Sequence, residues 1–103
     1  TMQPKQNAVD MAAKLNIFGA IERERQHQDA KRGTPKERNL SIGDYLAILR
    51  SELAEAEEAF VRRTAIEALC EILQVAATAV ACMERHGVVP RQGLDPRHHH
   101  ITE

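Results

Sequence analysis

Two pairs of polar residues stand at spacings that suit a metal site. Glu52 and Glu55 are three residues apart, and Glu71 and Gln74 repeat that spacing further along the chain. Residues three apart on a helix lie on one face, one turn from each other. Converging oxygen ligands suit a hard divalent cation, and Mg²⁺ in particular keeps several waters and shares its shell with substrate phosphates. These residues therefore indicate a Mg²⁺ site, with Mn²⁺ as the alternative ion.

The segment around Glu71 is apolar on nearly every side. Between Leu69 and Met83 the run is interrupted only by Glu71, Gln74 and Thr78. A helix that is apolar all round is normally buried all round, and a buried carboxylate is costly unless it is paired or binds a cation. Glu71 therefore needs a partner, which a cation shared with Glu52 would provide. Gln74 and Thr78 have a plainer alternative as hydrogen-bonding groups between helices.

Three helices are predicted to carry these residues. The first has apolar residues at three- and four-residue spacing, namely Met11, Leu15, Phe18 and Ile21. Asp10 is a candidate cap for its start, and Gly19 is a candidate kink or break. Gly33 followed by Pro35 should end the helix near residue 32. Residues 33–40 are then predicted to form a charged loop.

The second and third helices are predicted to form an antiparallel hairpin. Ser41, with Asp44 three residues on, should cap the second helix, which ends near residue 62. Thr64 and Glu67 form a similar capping box for the third helix, which runs from about residue 65 to residue 86 and stops at Gly87. The apolar stripe expected on the second helix is Leu46, Leu49, Leu53, Ala56 and Phe60. Such a short connection makes the two helices neighbours.

The expected fold class is all-α, an antiparallel helical hairpin plus an N-terminal helix that dimerises into a four-helix-type bundle. Two other helices of one chain cannot easily cover the third helix on all sides, so a second copy is expected to do so, in a homodimer or tetramer. Residues 1–87 should form a single helical domain whose first few residues are disordered. Residues 88–103 should form a tail in which His98, His99 and His100 are solvated.

Charge and apolar patterning exclude several classes of protein. The 103 residues include 14 Lys and Arg against 15 Asp and Glu, so no nucleic-acid partner is expected. The longest apolar run, residues 75–83, is broken by Thr78 and is too short to cross a bilayer, and the first residues lack a signal-peptide core, so no membrane partner is expected. Cys70 and Cys82 lie too far apart along one helix for a disulfide and are expected to be core thiols. Free thiols favour a cytoplasmic location.

Several short motifs together resemble one family. Glu-Leu-Ala-Glu (52–55) followed by Glu-Ile-Leu-Gln (71–74) resembles the ExxE…ExxD metal motif of the MazG-like, all-α nucleoside triphosphate pyrophosphohydrolases. The segment Ile-Glu-Arg-Glu-Arg-Gln (21–26), with Lys31 and Gly33 after it, is similar to a segment of the small phage-type and mobile-element members. The string EILQVAATAVACME (71–84) is similar to their third helix. The resemblance covers roughly residues 20–87.

The resemblance implies a Mg²⁺-dependent hydrolase. Such an enzyme cleaves a (deoxy)nucleoside triphosphate to the monophosphate and pyrophosphate, in a house-cleaning role, with water activated by the metal. Glu52, Glu55 and Glu71 would be the catalytic metal ligands, and Gln74 takes the place of the family's Asp. Ser51 and Arg32 also depart from the family pattern, in which these two positions are often Glu and Trp, respectively. The alternative is a weak or inactive helical homodimer that binds nucleotide or a protein partner.

The basic stretch before the second helix allows two interpretations. Arg25 and Lys31 are the candidates for binding triphosphate oxygens, since arginine can contact phosphate through two parallel hydrogen bonds. The alternative is pairing with Glu22, Glu24 and Asp29 along an exposed helix. The glutamates of the second helix have a similar alternative, because a run of glutamates can also be a solvated helix face.

Overall fold

The computed structural model describes residues 4–91, and all regular secondary structure in this part of the chain is helical. The helices are α1 (Pro4–Arg32), α2 (Pro35–Arg38), α3 (Ile42–Arg62) and α4 (Ala65–His86). No strand occurs between residues 4 and 91. The all-α class predicted from the sequence is therefore confirmed. The predicted third helix is α4, and its predicted bounds are confirmed as well. The expectations for the first residues and for the three tail histidines fall outside the described residues.

Helices α3 and α4 form the predicted antiparallel hairpin, and most of its end signals are confirmed. Ser41 Oγ accepts from the Asp44 amide at 3.0 Å, and the Ser41 amide donates to Asp44 Oδ2 at 2.9 Å. Helix α4 shows only half of its predicted capping box: Thr64 Oγ1 accepts from the Glu67 amide at 3.1 Å. The Glu67 carboxylate lies instead 3.6 Å from Arg63 Nε, since that side chain offers it a cationic partner.

Residues 33–40 are more ordered than the predicted charged loop. Thr34 Oγ1 accepts from the Glu37 amide, and Glu37 Oε1 accepts from the Thr34 amide at 2.8 Å, which forms a complete capping box. Pro35 follows the cap, where its missing amide hydrogen costs nothing. The result is the one-turn helix α2, which ends at Asn39 in the left-handed conformation, φ 51°. The Thr-Pro-x-Glu pattern was the signal for it.

Helix α1 is longer and more regular than predicted. It is continuous over 29 residues, so Asp10 lies inside it, and Gly19 does not break it. One interior glycine costs only about 1 kcal/mol, which a long helix tolerates. Gly33, at φ 96°, ends the helix as predicted, and its amide donates to the Asp29 carbonyl at 2.8 Å.

Helix α1 packs antiparallel against the C-terminal half of α4. Arg25 contacts Glu84, and Gln28, further along α1, contacts Thr78, earlier in α4. Because α4 ends two residues after Glu84, the part of α1 that precedes about residue 21 extends past the end of α4. Its large apolar side chains are more than half exposed in the single chain; they are Val9, Met11, Leu15, Ile17 and Phe18.

The core between α3 and α4 is built from small side chains. The buried apolar residues are Tyr45, Ala56 and Ala59 on α3, with Ala68, Ala77 and Ala81 on α4. Alanine lets two helices approach closely but covers little surface. Of the predicted α3 stripe only Ala56 is in this core; Leu46, Leu53 and Phe60 are at least half exposed. Apolar residues occupy two adjacent faces of α3, one that packs on α4 and one that is exposed. The sequence pattern does not distinguish these two faces.

Helix α4 is less covered than its composition leads one to expect. Leu69, Ile72 and Met83 are exposed in the single chain, and so is Cys70, which was expected in the core. Cys82 is partly buried, and burial raises the pKa of its thiol. By length and composition alone α4 is long and apolar enough to cross a membrane, a test that the central helix of a helical assembly also passes.

Candidate functional site

A cavity of about 110 Å³ lies where α1, α3 and α4 meet. Its wall consists of Glu24, His27, Gln28, Lys31 and Arg32 from α1, Glu52 from α3, and Gln74 from α4. The α1 members recur every three to four residues, so they share one face of that helix. The volume exceeds the roughly 10–15 Å³ that a single water requires. The cavity therefore has room for a small hydrated ion or for part of a polar ligand.

Glu52 is the buried carboxylate of this cavity. Its side chain is 8% exposed, and its Oε2 accepts a hydrogen bond from Thr78 Oγ1 at 3.1 Å. Its other oxygen, Oε1, is buried and has no hydrogen-bond partner among residues 4–91. Burial raises the pKa of the Glu52 carboxyl; the Thr78 hydroxyl and the charge of Arg32 oppose this, whereas Glu55 and Glu71 reinforce it. Through the bond to Thr78, Glu52 faces α4.

Glu71 is the second glutamate with an unsatisfied oxygen. Its Oε2 is buried and likewise lacks a partner within the described part of the chain. Glu71 precedes Thr78 by seven residues, so both lie on the α3-facing side of α4, two turns apart. Its negative charge reaches Glu52, although it does not line the cavity.

The predicted ligand set is therefore brought together only in part. Glu52 and Gln74 share one cavity wall, whereas Glu55 is exposed and acts on Glu52 through its charge. Across the described segment, no three His, Cys, Asp or Glu side chains converge closely enough to hold a metal ion. The two unpartnered carboxylate oxygens and the Gln74 amide are nevertheless the oxygen donors that a hard cation with retained waters requires. The residues thus fit Mg²⁺ in chemistry.

Arg25 and Lys31, the predicted phosphate contacts, differ in their surroundings. Lys31 lines the cavity. Arg25 is 3% exposed, and its guanidinium donates to Glu84 Oε2 and Asp29 Oδ1, both at 2.7 Å. Burial alone would lower the pKa of Arg25, but the hydrogen bonds and charges of Glu84 and Asp29 raise it above its usual value. The alternative interpretation, pairing with Asp29, is present here at a buried position.

A hydrogen-bond chain connects Arg25 to Glu52. Arg25 Nη1 donates to Gln28 Oε1 at 2.9 Å, and Gln28 Nε2 donates to Thr78 Oγ1 at 3.4 Å. Thr78 thus joins α1 to α3 through α4, which agrees with the alternative of a hydrogen-bonding group between helices. Sequence reasoning missed Gln28 and His27. The three- and four-residue spacing of Glu24, Gln28 and Lys31 would have pointed to that face of α1.

A second, smaller cavity shares Gln28 and Arg32 with the first. Its volume is about 10 Å³, and Arg25, Arg32, Arg38 and Tyr45 are among the residues that line it. Tyr45 is 1% exposed, its hydroxyl has no partner in residues 4–91, and burial raises its pKa. The space matches one water molecule, which would satisfy the hydroxyl.

Comparison of the chain with protein-family models, with curated proteins and with solved structures finds no match.

Proposed function

We propose that this chain is a Mg²⁺-dependent nucleoside triphosphate pyrophosphohydrolase. The observation that carries the proposal is that Glu52, a buried carboxylate with one unpartnered oxygen, lines the same cavity as Lys31 and Arg32. A buried anionic oxygen is costly without a cation. The basic side chains that α1 contributes to the wall give the same cavity an affinity for an anion. A metal-bound polyphosphate carries both charges that this cavity would complement.

Metal binding is assigned to the glutamates of the hairpin. Glu52 and Gln74 would be direct oxygen ligands, and Glu71 and Glu55 would complete the site as the ligand enters. When bound, Mg²⁺ neutralises phosphate charge and lowers the pKa of a bound water. Gln74 contributes an oxygen but no charge, so the triphosphate would deliver much of the metal. The role of the protein is to hold the carboxylates in place and to exclude bulk water.

Phosphate binding is assigned to α1. Lys31 and Arg32 line the cavity, and neither forms an ion pair with a residue of the described segment. Their charges are therefore available to a ligand. For Arg25 we propose a supporting role, because its guanidinium is buried and already bound to Glu84 and Asp29.

Assembly is assigned to a face that we call the hairpin face, made of Leu46, Leu53 and Phe60 on α3 with Leu69, Ile72 and Met83 on α4. Leu53 follows Glu52 by one residue, so its side chain is rotated about 100° around the α3 axis from that of Glu52. The side chain of Glu55 is rotated in the opposite sense, towards the side of α3 that faces the cavity. The hairpin face thus lies on the side of the hairpin opposite α1. An apolar face presented by two antiparallel helices suits a second copy of the same hairpin, giving a homodimeric four-helix bundle.

The decisive experiment compares Glu52→Gln with Glu58→Gln. Both variants remove one negative charge from α3, but Glu58 is exposed and outside the cavity. We expect Mg²⁺ to raise the Tm of the wild type and of Glu58→Gln, and both to release pyrophosphate from triphosphates. Mg²⁺ raises the Tm because it binds only the folded site. Glu52→Gln removes a proposed metal ligand and should therefore lose both the rise in Tm and the release of pyrophosphate. A wild type that neither responds to Mg²⁺ nor releases pyrophosphate would reject the proposal, and release that survives in Glu52→Gln would remove Glu52 from the site.

One observation favours a second candidate, a protein that binds nucleotide without hydrolysing it. Gln74 lines the cavity at the position where the resembled motif has a carboxylate. With one charge fewer, the site could retain the nucleotide and lack turnover. Calorimetric binding of a triphosphate with Mg²⁺, together with undetectable pyrophosphate release, would establish this candidate. Restored release in Gln74→Glu would show that the missing charge is the cause.

A further inference from the structure

We propose that Thr78 is a positioning residue that holds one oxygen of the Glu52 carboxylate, so that the other oxygen stays without a partner in the described chain. The proposal rests on the metal-binding role proposed above for Glu52. Thr78 acts through Glu52 and is not itself a ligand. Its orientation is set by a directed hydrogen-bond chain that begins at Arg25 and passes through Gln28.

The direction of every hydrogen bond in this chain is determined. A guanidinium can only donate, so Gln28 must accept from Arg25 with its carbonyl oxygen, at 2.9 Å. The Gln28 amide nitrogen then faces Thr78, and since it can only donate, Thr78 Oγ1 accepts. The single hydroxyl proton of Thr78 remains for Glu52 Oε2, at 3.1 Å. Glu52 Oε2 is thereby held as an acceptor.

The starting point of the chain is firmly held. Arg25 is 3% exposed, and Glu84 and Asp29 each accept from it at 2.7 Å. Glu84 belongs to α4 and Asp29 to α1, so these bonds connect the two helices that flank the cavity. Thr78 is 6% exposed. Few rotamers of Thr78 and Gln28 satisfy all of these bonds at once.

The consequence lies at the second oxygen of Glu52. With Oε2 occupied by Thr78, the carboxylate cannot rotate freely, and Oε1 stays without a partner in the described chain. A carboxylate fixed in this way offers a cation one oxygen in a constant position. Partners behind a metal ligand typically change metal affinity 10–100-fold when they are removed.

The test measures Mn²⁺ affinity by electron paramagnetic resonance in Thr78→Val and Thr78→Ser. Valine has the shape of threonine without the donor, whereas serine keeps the donor. We expect Thr78→Val to bind Mn²⁺ about tenfold more weakly, and Thr78→Ser to bind it as the wild type does. In pyrophosphate release, Thr78→Val should require more Mg²⁺ for half-maximal rate, with KM for the metal–triphosphate changed less than kcat.

Two controls separate the possible failures. If Glu52→Gln binds Mn²⁺ as tightly as the wild type, the proposed function is wrong and the role of Thr78 is wrong with it. If Glu52→Gln abolishes binding but Thr78→Val does not weaken it, or Thr78→Ser weakens it equally, only the positioning role is overturned. Should Thr78→Val fail to fold, Gln28→Met decides, because it removes the donor to Thr78. Unchanged Mn²⁺ affinity in Gln28→Met would overturn the proposal.

Discussion

Glu52 shows how burial and charge compete at a single residue. Its carboxylate loses water, accepts one hydrogen bond from Thr78 and feels repulsion from Glu55 and Glu71. The positive charge of Arg32 opposes that repulsion by electrostatic attraction to Glu52. A carboxyl shifted by desolvation and by charged neighbours in a cavity is typical of a functional position. A structural role alone would be served better by an uncharged side chain here.

Arg25 separates a structural role from a substrate-binding role. Replacing it by Met keeps much of the apolar stem but removes the ion pairs with Glu84 and Asp29. We expect unfolding to become easier by about 1–2 kcal/mol, since those acceptors are partly exposed and water replaces some of the interaction. Urea denaturation measures this change. Arg23→Met, at an exposed position of the same helix, is the control and should be nearly neutral.

The opposite result would support the sequence prediction that Arg25 contacts the triphosphate. Unchanged stability in Arg25→Met, with a large increase in KM for the triphosphate, would make Arg25 a substrate contact. The sequence alone could not decide between these outcomes, because Asp29 was visible as a partner one turn away but Glu84 is 59 residues distant. Distant partners depend on packing, which no local pattern specifies.

At the scale of the helices, end signals were the most predictable feature. Ser41, Gly33 and Gly87 act locally, so their effects could be deduced from their neighbours in sequence. The faces of the helices could not be assigned as well. Leu53 and Ala56 appeared to belong to one stripe, but only Ala56 enters the α3–α4 core. Which apolar face meets which helix depends on the close approach that alanines allow, a property of the pair of helices.

The capping carboxylates give the fold a predictable response to acid. Backbone hydrogen bonds from Thr34 and from Ser41 lower the pKa of Glu37 and of Asp44, respectively. A lowered folded-state pKa means that the folded protein binds these protons less readily than the unfolded chain. Their stabilisation is therefore present above the unfolded-state pKa values and is lost as pH falls through the folded-state values.

We expect Glu37→Gln combined with Asp44→Asn to weaken that acid response. The double variant should be less stable than the wild type near neutral pH, and the difference should shrink below about pH 4, where the wild-type carboxyls also become protonated. Thermal unfolding followed by circular dichroism between pH 3 and 7 measures it. Parallel stability curves for the two proteins would show that these caps do not contribute through their charge.

At the scale of the whole molecule, the single chain leaves its largest apolar side chains uncovered. The radius of gyration is 16.5 Å, whereas a compact domain of this length is expected at about 13 Å. The part of α1 that extends past the end of α4 contributes to this open shape. The exposed hairpin face agrees with the expectation from the sequence that residues from outside the single chain bury part of α4.

A charge on the hairpin face should prevent association. Leu53→Lys places an ammonium group where a partner helix is proposed, and a buried leucine contributes roughly 1.5–3 kcal/mol in each copy. Sedimentation velocity should show a dimeric wild type and a monomeric or unfolded variant. Ala54→Lys adds the same charge to an exposed position turned further from α4 and should remain dimeric. A wild type that is a well-folded monomer, or that requires lipid to become soluble, would contradict the proposed assembly.

The alanine core between α3 and α4 has a consequence for how the protein responds to dilution. Five of its six buried apolar residues are alanine, so one hairpin gains little from burying its own side chains. If most of the apolar contact forms between copies, folding and association are one bimolecular event. The midpoint of thermal unfolding should then rise with total protein concentration, by mass action. The amount of this chain that a cell makes would thereby set the fraction that is folded at all.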